Sequence, residues 1–174
     1  MRKKRLLQLT AALLCAVILS ACGGAPADAD CTCTVSISCA TILDNMDQCA
    51  ESKKELVPAD GVILPPTEVA FAEGESAFDV LQRVCRDNGI HLESKFTPVY
   101  NSAYIQGIHN IYEFDVGKLS GWMYAVNDWF PNYGCSLYQV QDGDVIRWVY
   151  TCDLGADVGG GQAAGDGQQE GAST

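Results

Sequence analysis

The chain has 174 residues, 48% of them hydrophobic, and a formal net charge of −11 at pH 7. Phosphate binding needs clustered cations, and outside residues 2–5 the lysines and arginines are scattered, so nucleic acid is excluded as a partner. The acidic balance mainly serves solubility. The length allows one domain with a real hydrophobic core.

The first residues have the pattern of an exported lipoprotein. Basic residues 2–5 precede an apolar run, 6–19, that is too short for a convincing membrane span. Small residues then lead into Cys22, which resembles a bacterial lipobox and implies cleavage before Cys22 and lipid attachment to it. The alternative is an ordinary secretory signal with a chance cysteine. Loss of residues 2–5 takes the net charge from −11 to −15.

Composition divides the rest of the chain. We predict a signal peptide over 1–22, a short tether over 23–30 and one domain over 31–154. Residues 155–174 are rich in Gly, Gln and Ala and hold no aromatic residue. Such a segment cannot bury enough apolar area to offset its ordering entropy, so we predict a disordered tail.

The domain begins with a strand in which polar and apolar residues alternate. Val35, Ile37 and Cys39 share one face, which predicts a strand with one buried side. Residues 41–55 read as a loop or a short helix. Residues 68–71 form a second short strand, and Pro65 and Pro66 place it at a sheet edge or a strand start.

One good helix follows. Ser76 is a candidate N-cap, Asp79 favours the helix dipole in the first turn, and Asn88-Gly89 is a stop signal. Apolar residues at helical spacing predict a helix over 77–88 with one buried stripe. Residues 91–96 are weakly strand-like, and 100–111 read as a strand with a break at Gly107.

The last strands carry the strongest signal. Residues 120–127 and 145–150 are rich in β-formers, and 145–150 is apolar on both faces, which predicts a central or covered strand. Trp122, Tyr124, Trp148 and Tyr150 alternate along these strands and are expected in the core. The element order predicts an α+β fold, a mixed sheet with one main helix packed on one face.

Seven cysteines remain after Cys15 and Cys22 are set aside, and an exported chain permits disulfides. If the first and last strands pair in parallel, Cys39 and Cys152 fall at matching ends, so we predict a bridge between them. The other pairings stay open, Cys85 with Cys135 among them. Close spacing of Cys31 and Cys33 does not suit zinc, so no metal site is expected.

Three blocks of this sequence resemble a known family. Ile108-His109-Asn110-Ile111, the stretch from Ser120-Gly121-Trp122-Met123 to Asn127, and residues 138–150 are similar to the C-terminal domain of transcobalamin and intrinsic factor. They are closer still to its bacterial relatives, an uncharacterised family of lipoproteins and surface proteins. The resemblance implies a β-grasp-like fold. It also implies cobalamin as a possible ligand, although the helical domain that holds cobalamin in the vertebrate carriers is absent here.

Aromatic residues on turns are the candidate binding site, because large rings on a turn must bury against something or bind something. In the loop after residue 127 these are Trp129, Phe130, Asn132 and Tyr133, with packing under the loop as the alternative. The resemblance adds a cobalamin-facing segment that contains three further candidates, Tyr100, Asn101 and Tyr104.

No nucleophile elbow, zinc-protease motif or phosphate loop occurs in the sequence, and His91 and His109 lack a nearby partner. We therefore expect a noncatalytic binding module without a cofactor, anchored to the extracytoplasmic face of a bacterial membrane. Its expected partner is a small-molecule ligand, a corrinoid by resemblance. The alternative is an interaction or adhesion module for a surface protein or a cell-wall polymer.

Overall fold

A computed structural model describes residues 29–160. The predicted signal peptide, Cys22 and most of the tether lie outside the described residues, as does the tail beyond Gly160. Among the described residues, no helix is long and apolar enough to cross a membrane. The predicted domain end at Leu154 falls before a short 3-10 helix, Ala156–Val158.

Seven strands form two sheets, and one α-helix accompanies them. The strands are β1 (Cys31–Ser38), β2 (Val62–Phe71), β3 (Leu92–Thr97), β4 (Ser102–Ile108), β5 (Ile111–Tyr112), β6 (Gly121–Val126) and β7 (Val145–Thr151), and the helix is α1 (Ala77–Asp87). Three further 3-10 helices span Ala40–Asn45, Glu51–Leu56 and Pro98–Tyr100.

The larger sheet has the order β2-β1-β7-β6 and is mixed. The first and last strands, β1 and β7, lie side by side and parallel, which is the premise of the predicted disulfide, while the other pairs of this sheet are antiparallel. Strand β7 is central, and β2 is at an edge, where a strand with two prolines is tolerated. The register of β1 against β2 is irregular on either side of Ile37, and the irregularity between Val35 and Ile37 lies opposite the two prolines of β2.

The helix has the predicted caps. The Ser76 hydroxyl accepts a hydrogen bond from the Asp79 backbone N–H at 3.2 Å, and the Asp79 carboxylate accepts one from the Ser76 N–H at 2.9 Å. This reciprocal capping box satisfies two N–H groups that the helix itself cannot pair. The Asn88 cap and Gly89, at φ 65°, end the helix.

The helix, the inner face of the larger sheet and part of the smaller sheet share one core. The four aromatic residues predicted to be buried are buried; Trp122 packs edge-to-face on Tyr150 at 5.3 Å, and Tyr124 stacks on Trp148 at 5.5 Å. Such pairs add to the free energy gained by burying their area. The Tyr150 hydroxyl donates to the backbone carbonyl of Tyr112 at 2.7 Å, which ties the larger sheet to the smaller one.

The smaller sheet, β3-β4-β5, departs from the predicted single sheet. Its inner residues Ile105, Ile108 and Ile111 reach the core, whereas β3 has no fully buried residue. Gly107 lies within β4 rather than breaking it. An added Cβ there would lie 2.7 Å from the Tyr112 ring, so a side chain at this position would clash with the ring, and the glycine leaves room for it.

The predicted Cys39–Cys152 bridge is absent: both are free thiols in the structure, as are Cys85 and Cys135. The register explains the difference. Ser38 pairs with Val149, so Cys39 comes opposite Tyr150 and Cys152 lies two residues further along. The Cys152 sulfur instead lies 3.8 Å from the Thr41 hydroxyl.

We expect the buried thiols to be unreactive in the native protein. Burial raises the pKa of the Cys39, Cys85 and Cys135 thiols to about 12, and the thiolate is the form that alkylating reagents attack. At neutral pH, iodoacetamide should modify half-buried Cys31 first and these three only after denaturant is added. Peptide mass spectrometry would check this, and native labelling of Cys39 or Cys85 at the rate of Cys31 would contradict it.

Candidate functional site

A two-residue turn sets the course of the aromatic loop. Val126 and Trp129 exchange backbone hydrogen bonds of 2.8 and 2.9 Å across Asn127 and Asp128, whose φ angles are 50° and 67°. Two consecutive positive φ values in a hairpin turn are typical of the type I′ geometry, which asparagine and aspartate accept more readily than most residues. The chain therefore reverses its direction within the two residues that follow β6.

This reversal separates the three predicted rings. Phe130 is buried, 5% exposed, and packs on Ala125 and Val149 on the outer face of the larger sheet. Its position fits the alternative reading, in which the ring packs beneath the loop. Trp129 and Tyr133 are 51% and 39% exposed, and their ring centroids lie 5.9 Å apart in an edge-to-face arrangement.

A groove of about 340 Å³ opens beside these rings, between the aromatic loop and the smaller sheet. One wall comes from the end of β3 and the 3-10 helix that follows it, the floor from the start of β4, and the other wall from the loop. Its lining residues are Thr97, Tyr100, Ser102, Ala103, Tyr104, Pro131, Asn132, Tyr133 and Gly134. The lining is aromatic, hydroxyl and amide, with no carboxylate, ammonium, guanidinium, imidazole or thiol.

Hydrogen bonds hold the loop against β4. The Ser136 hydroxyl lies 2.8 Å from the Ser102 hydroxyl and accepts from the Ala103 N–H at 3.0 Å. From beneath, the Tyr124 hydroxyl donates to the backbone carbonyl of Tyr133 at 3.0 Å. Because these bonds join the loop to two strands, the groove is formed before any ligand arrives.

The Tyr104 side chain is held in place by a hydrogen bond from its hydroxyl group. Its hydroxyl donates to the Glu113 carboxylate at 2.6 Å. Burial and then this hydrogen bond raise the pKa of the Tyr104 phenol to about 12. The phenol is therefore neutral throughout the physiological pH range, and its ring is held as a wall of the groove.

Four of the seven predicted contact residues line the groove: Tyr100, Tyr104, Asn132 and Tyr133. Trp129 lies at its border through its contact with Tyr133. Asn101 does not line it; with φ 46° it caps the 3-10 helix in the left-handed region, where asparagine is favoured, and it is exposed. Its prediction as a contact is therefore not supported by the geometry.

Five lining residues were not among the predicted contacts: Thr97, Ser102, Ala103, Pro131 and Gly134. Pro131 lies within the predicted aromatic loop, and the other four are small residues that carry no chemical signal of their own. Ser102 and Ala103 could have been found from their position in the sequence, because they lie between Tyr100 and Tyr104, two predicted contact residues. Gly134 could be recognised only from its contact, since an added Cβ would fall 1.9 Å from the Ser102 hydroxyl oxygen.

The two histidines lie apart from the groove. His91 is 6.0 Å from the Tyr112 ring, and His109 occupies a turn at φ 55°. Within residues 29–160, no group of three or more His, Cys, Asp or Glu side chains is arranged to hold a metal ion. The groove, in contrast, combines a concavity with convergent polar groups, as binding sites for small molecules do.

Comparison with known proteins gives one family match. Residues 74–152 match the model of a domain of unknown function, DUF4430. This stretch begins just before α1 and ends just after β7, so it contains all the lining residues of the groove. No curated protein sequence matches the chain significantly.

Among solved structures, the chain is similar to haptocorrin in complex with Cbi, with a TM-score of 0.50 and 14% identity. The match covers 71% of this chain and 26% of the haptocorrin chain, so the chain spans about a quarter of that protein. This likeness confirms the α+β fold predicted from the element order. A candidate metal binding protein from Ruminococcus gnavus also matches, with a TM-score of 0.42, 15% identity and coverage of 70% and 97% of the two chains.

Proposed function

We propose that this chain is a noncatalytic ligand-binding module of the bacterial surface. It holds a small molecule in the groove between the aromatic loop and β4, and lipid on Cys22 attaches it to the membrane. The observation that carries the proposal is the groove itself, about 340 Å³ and lined by tyrosines with a few hydroxyl and amide groups. Binding sites for small molecules have this mixture of apolar walls and sparse polar groups.

The lining also supports a binding role over a catalytic one. Acid–base or nucleophilic catalysis needs a group that changes protonation or attacks near neutral pH. The titratable groups of the lining are tyrosine phenols, and the pKa of Tyr104 is raised to about 12. A ligand in this groove would meet hydrogen-bonding groups and ring faces.

A corrinoid is the first ligand to test, since the fold is shared with haptocorrin and the sequence blocks resemble the transcobalamin family. The full chain should be titrated with cobalamin and cobinamide, following heat release and tryptophan fluorescence. Trp129 is a suitable reporter, because it is 51% exposed and in contact with Tyr133, whereas Trp122 and Trp148 are buried.

Replacement of Tyr133 by alanine should weaken binding of any groove ligand by at least about tenfold, as expected for a central aromatic contact. Phe114→Ala is the matched control, because Phe114 is 63% exposed and lies outside the groove lining. Binding that survives Tyr133→Ala unchanged, or that is lost equally in both variants, would show that the groove is not the site.

The second candidate, an interaction module for a surface protein or cell-wall polymer, is favoured by exposed apolar residues that adjoin the lining residues Thr97 and Tyr100 in the chain. Phe96 and Val99 are 59% and 85% exposed, and both precede Tyr100 in the chain. Exposed apolar side chains that cluster are a mark of interaction sites. Loss of cell-wall retention in a Val99→Ser variant whose small-ligand binding is intact would favour this candidate.

A further inference from the structure

The charge of the groove narrows the class of ligand. None of its nine lining residues carries a full charge, and the whole chain has a formal net charge of −11. An anion would find no cationic partner there and would be repelled by the protein as a whole. The nearest cation by strand pairing is Lys95, opposite Tyr104, and it is not part of the lining.

The polar groups of the lining are of one kind, hydroxyls and an amide. Ser102 is already paired with Ser136 at 2.8 Å. The Thr97 hydroxyl and the Asn132 amide take part in no hydrogen bond within residues 29–160 and face no charged neighbour in the lining. Such groups can both donate to and accept from a ligand that is itself rich in hydroxyl or acetamido groups.

The aromatic surface continues beyond the groove on the side of the loop. Trp129 contacts Tyr133 of the wall and is 51% exposed. A ligand longer than the groove would therefore meet further ring surface on leaving it at that side, whereas a compact ligand would use only the tyrosines.

We propose that the groove binds an uncharged oligosaccharide of hexopyranose units, and this inference rests on the proposed function. A pyranose ring has an apolar face of C–H groups and a periphery of hydroxyls. The Tyr100 and Tyr133 rings pack against the C–H faces, and Thr97 and Asn132 bind the hydroxyl or acetamido groups. The groove volume, about 340 Å³, lies near the lower end of ligand pockets, which span roughly 300–1,000 Å³. It suits one or two sugar rings of a chain better than a whole corrin macrocycle.

The experiment is calorimetry on the full chain with cellohexaose, maltohexaose and chitohexaose, with cobinamide and choline run in parallel. At least one sugar should bind, and its affinity should be unchanged between low and high salt because no ion pair forms. Tyr133→Ala and Tyr100→Ala should each weaken it at least about tenfold. Tyr100 is 73% exposed, so its variant tests the site even where loss of Tyr133 perturbs folding.

Lys95→Ala is the matched control and should leave sugar affinity unchanged; a loss there would show that a charged ligand is preferred and overturn the inference. Groove-dependent binding of cobinamide without any sugar overturns it too, while leaving the proposed function intact. Binding of choline alone overturns it in favour of an organic cation held by the rings. If no ligand binds, the inference and the proposed function both fail.

Discussion

Replacing Gly134 with alanine should destabilise the fold by about 1–3 kcal/mol and distort the groove, as overpacking of a tight contact does. A Cβ at this position would lie 1.9 Å from the Ser102 hydroxyl oxygen and 2.4 Å from the Ser102 Cβ. The Ser102 hydroxyl is bonded to Ser136, so the floor of the groove and the loop must move apart to admit the methyl group. Urea unfolding would measure the loss, and ligand titration would measure the change in the groove.

Gly121→Ala is the matched control. Its Cβ would meet the Glu113 Cβ at 3.8 Å, an ordinary contact, and the backbone there is not in the left-handed region. We expect its stability to be unchanged or raised by up to about 1 kcal/mol, because alanine restricts the unfolded chain. Ser102→Gly should recover part of the stability lost in the Gly134→Ala background. A Gly134→Ala variant as stable as the parent would refute the close approach of loop and strand.

The elements that could be predicted from the sequence are those with a local signal. Strand β1 has one apolar face, and Ser76 with Asp79 has the spacing of a capping box, so neither depends on distant residues. The central place of β7 was also predictable, because the strand is apolar on both faces, whereas the parallel pairing of β1 with β7 was only the premise of the predicted disulfide. The outer face of β7 is covered, as an apolar face requires, because Phe130 packs against Val149.

The second sheet had no such signal. Strand β3, Leu92–Thr97, is held by its pairing with β4 and has no fully buried residue, so its side chains do not alternate between core and solvent. Its conformation is imposed by tertiary contacts, and strand propensity is known to yield to them. A single sheet was therefore predicted where two exist.

The site shows the same division. The presence of aromatic residues on a turn pointed to Tyr133, because a ring of that size demands a partner, whereas Tyr100 and Tyr104 came from the family resemblance. The turn pattern also selected Phe130, which is buried because a two-residue turn at Asn127 and Asp128 reverses the chain. Residue type alone could not distinguish the ring that packs from the rings that face the groove.

Replacing Asp144 with alanine should destabilise the protein by roughly 2–4 kcal/mol, because three part-buried hydrogen bonds to one carboxylate would be lost together. Asp144 is 5% exposed, and its carboxylate accepts hydrogen bonds from the Asn127 amide at 2.8 Å, the Tyr138 hydroxyl at 2.8 Å and the Gln141 N–H at 2.9 Å. It thus joins the turn before β7 to the turn that starts the aromatic loop. Thermal and urea unfolding would give the stability change.

The structural consequence should extend to the groove. Without Asp144, the Asn127 side chain keeps only the hydrogen bond that it accepts from the Val145 N–H at 2.9 Å. The turn is then less well held, so hydrogen exchange at the Val126 and Trp129 amides should accelerate. Asp142→Ala is the matched control in the same turn, since its one bond, from the Thr32 N–H at 2.8 Å, is exposed and should be worth less than about 1 kcal/mol. Asp144→Asn keeps one acceptor oxygen and should fall between the two alanine variants. If the two alanine variants lose the same stability, burial of the Asp144 carboxylate does not hold the loop.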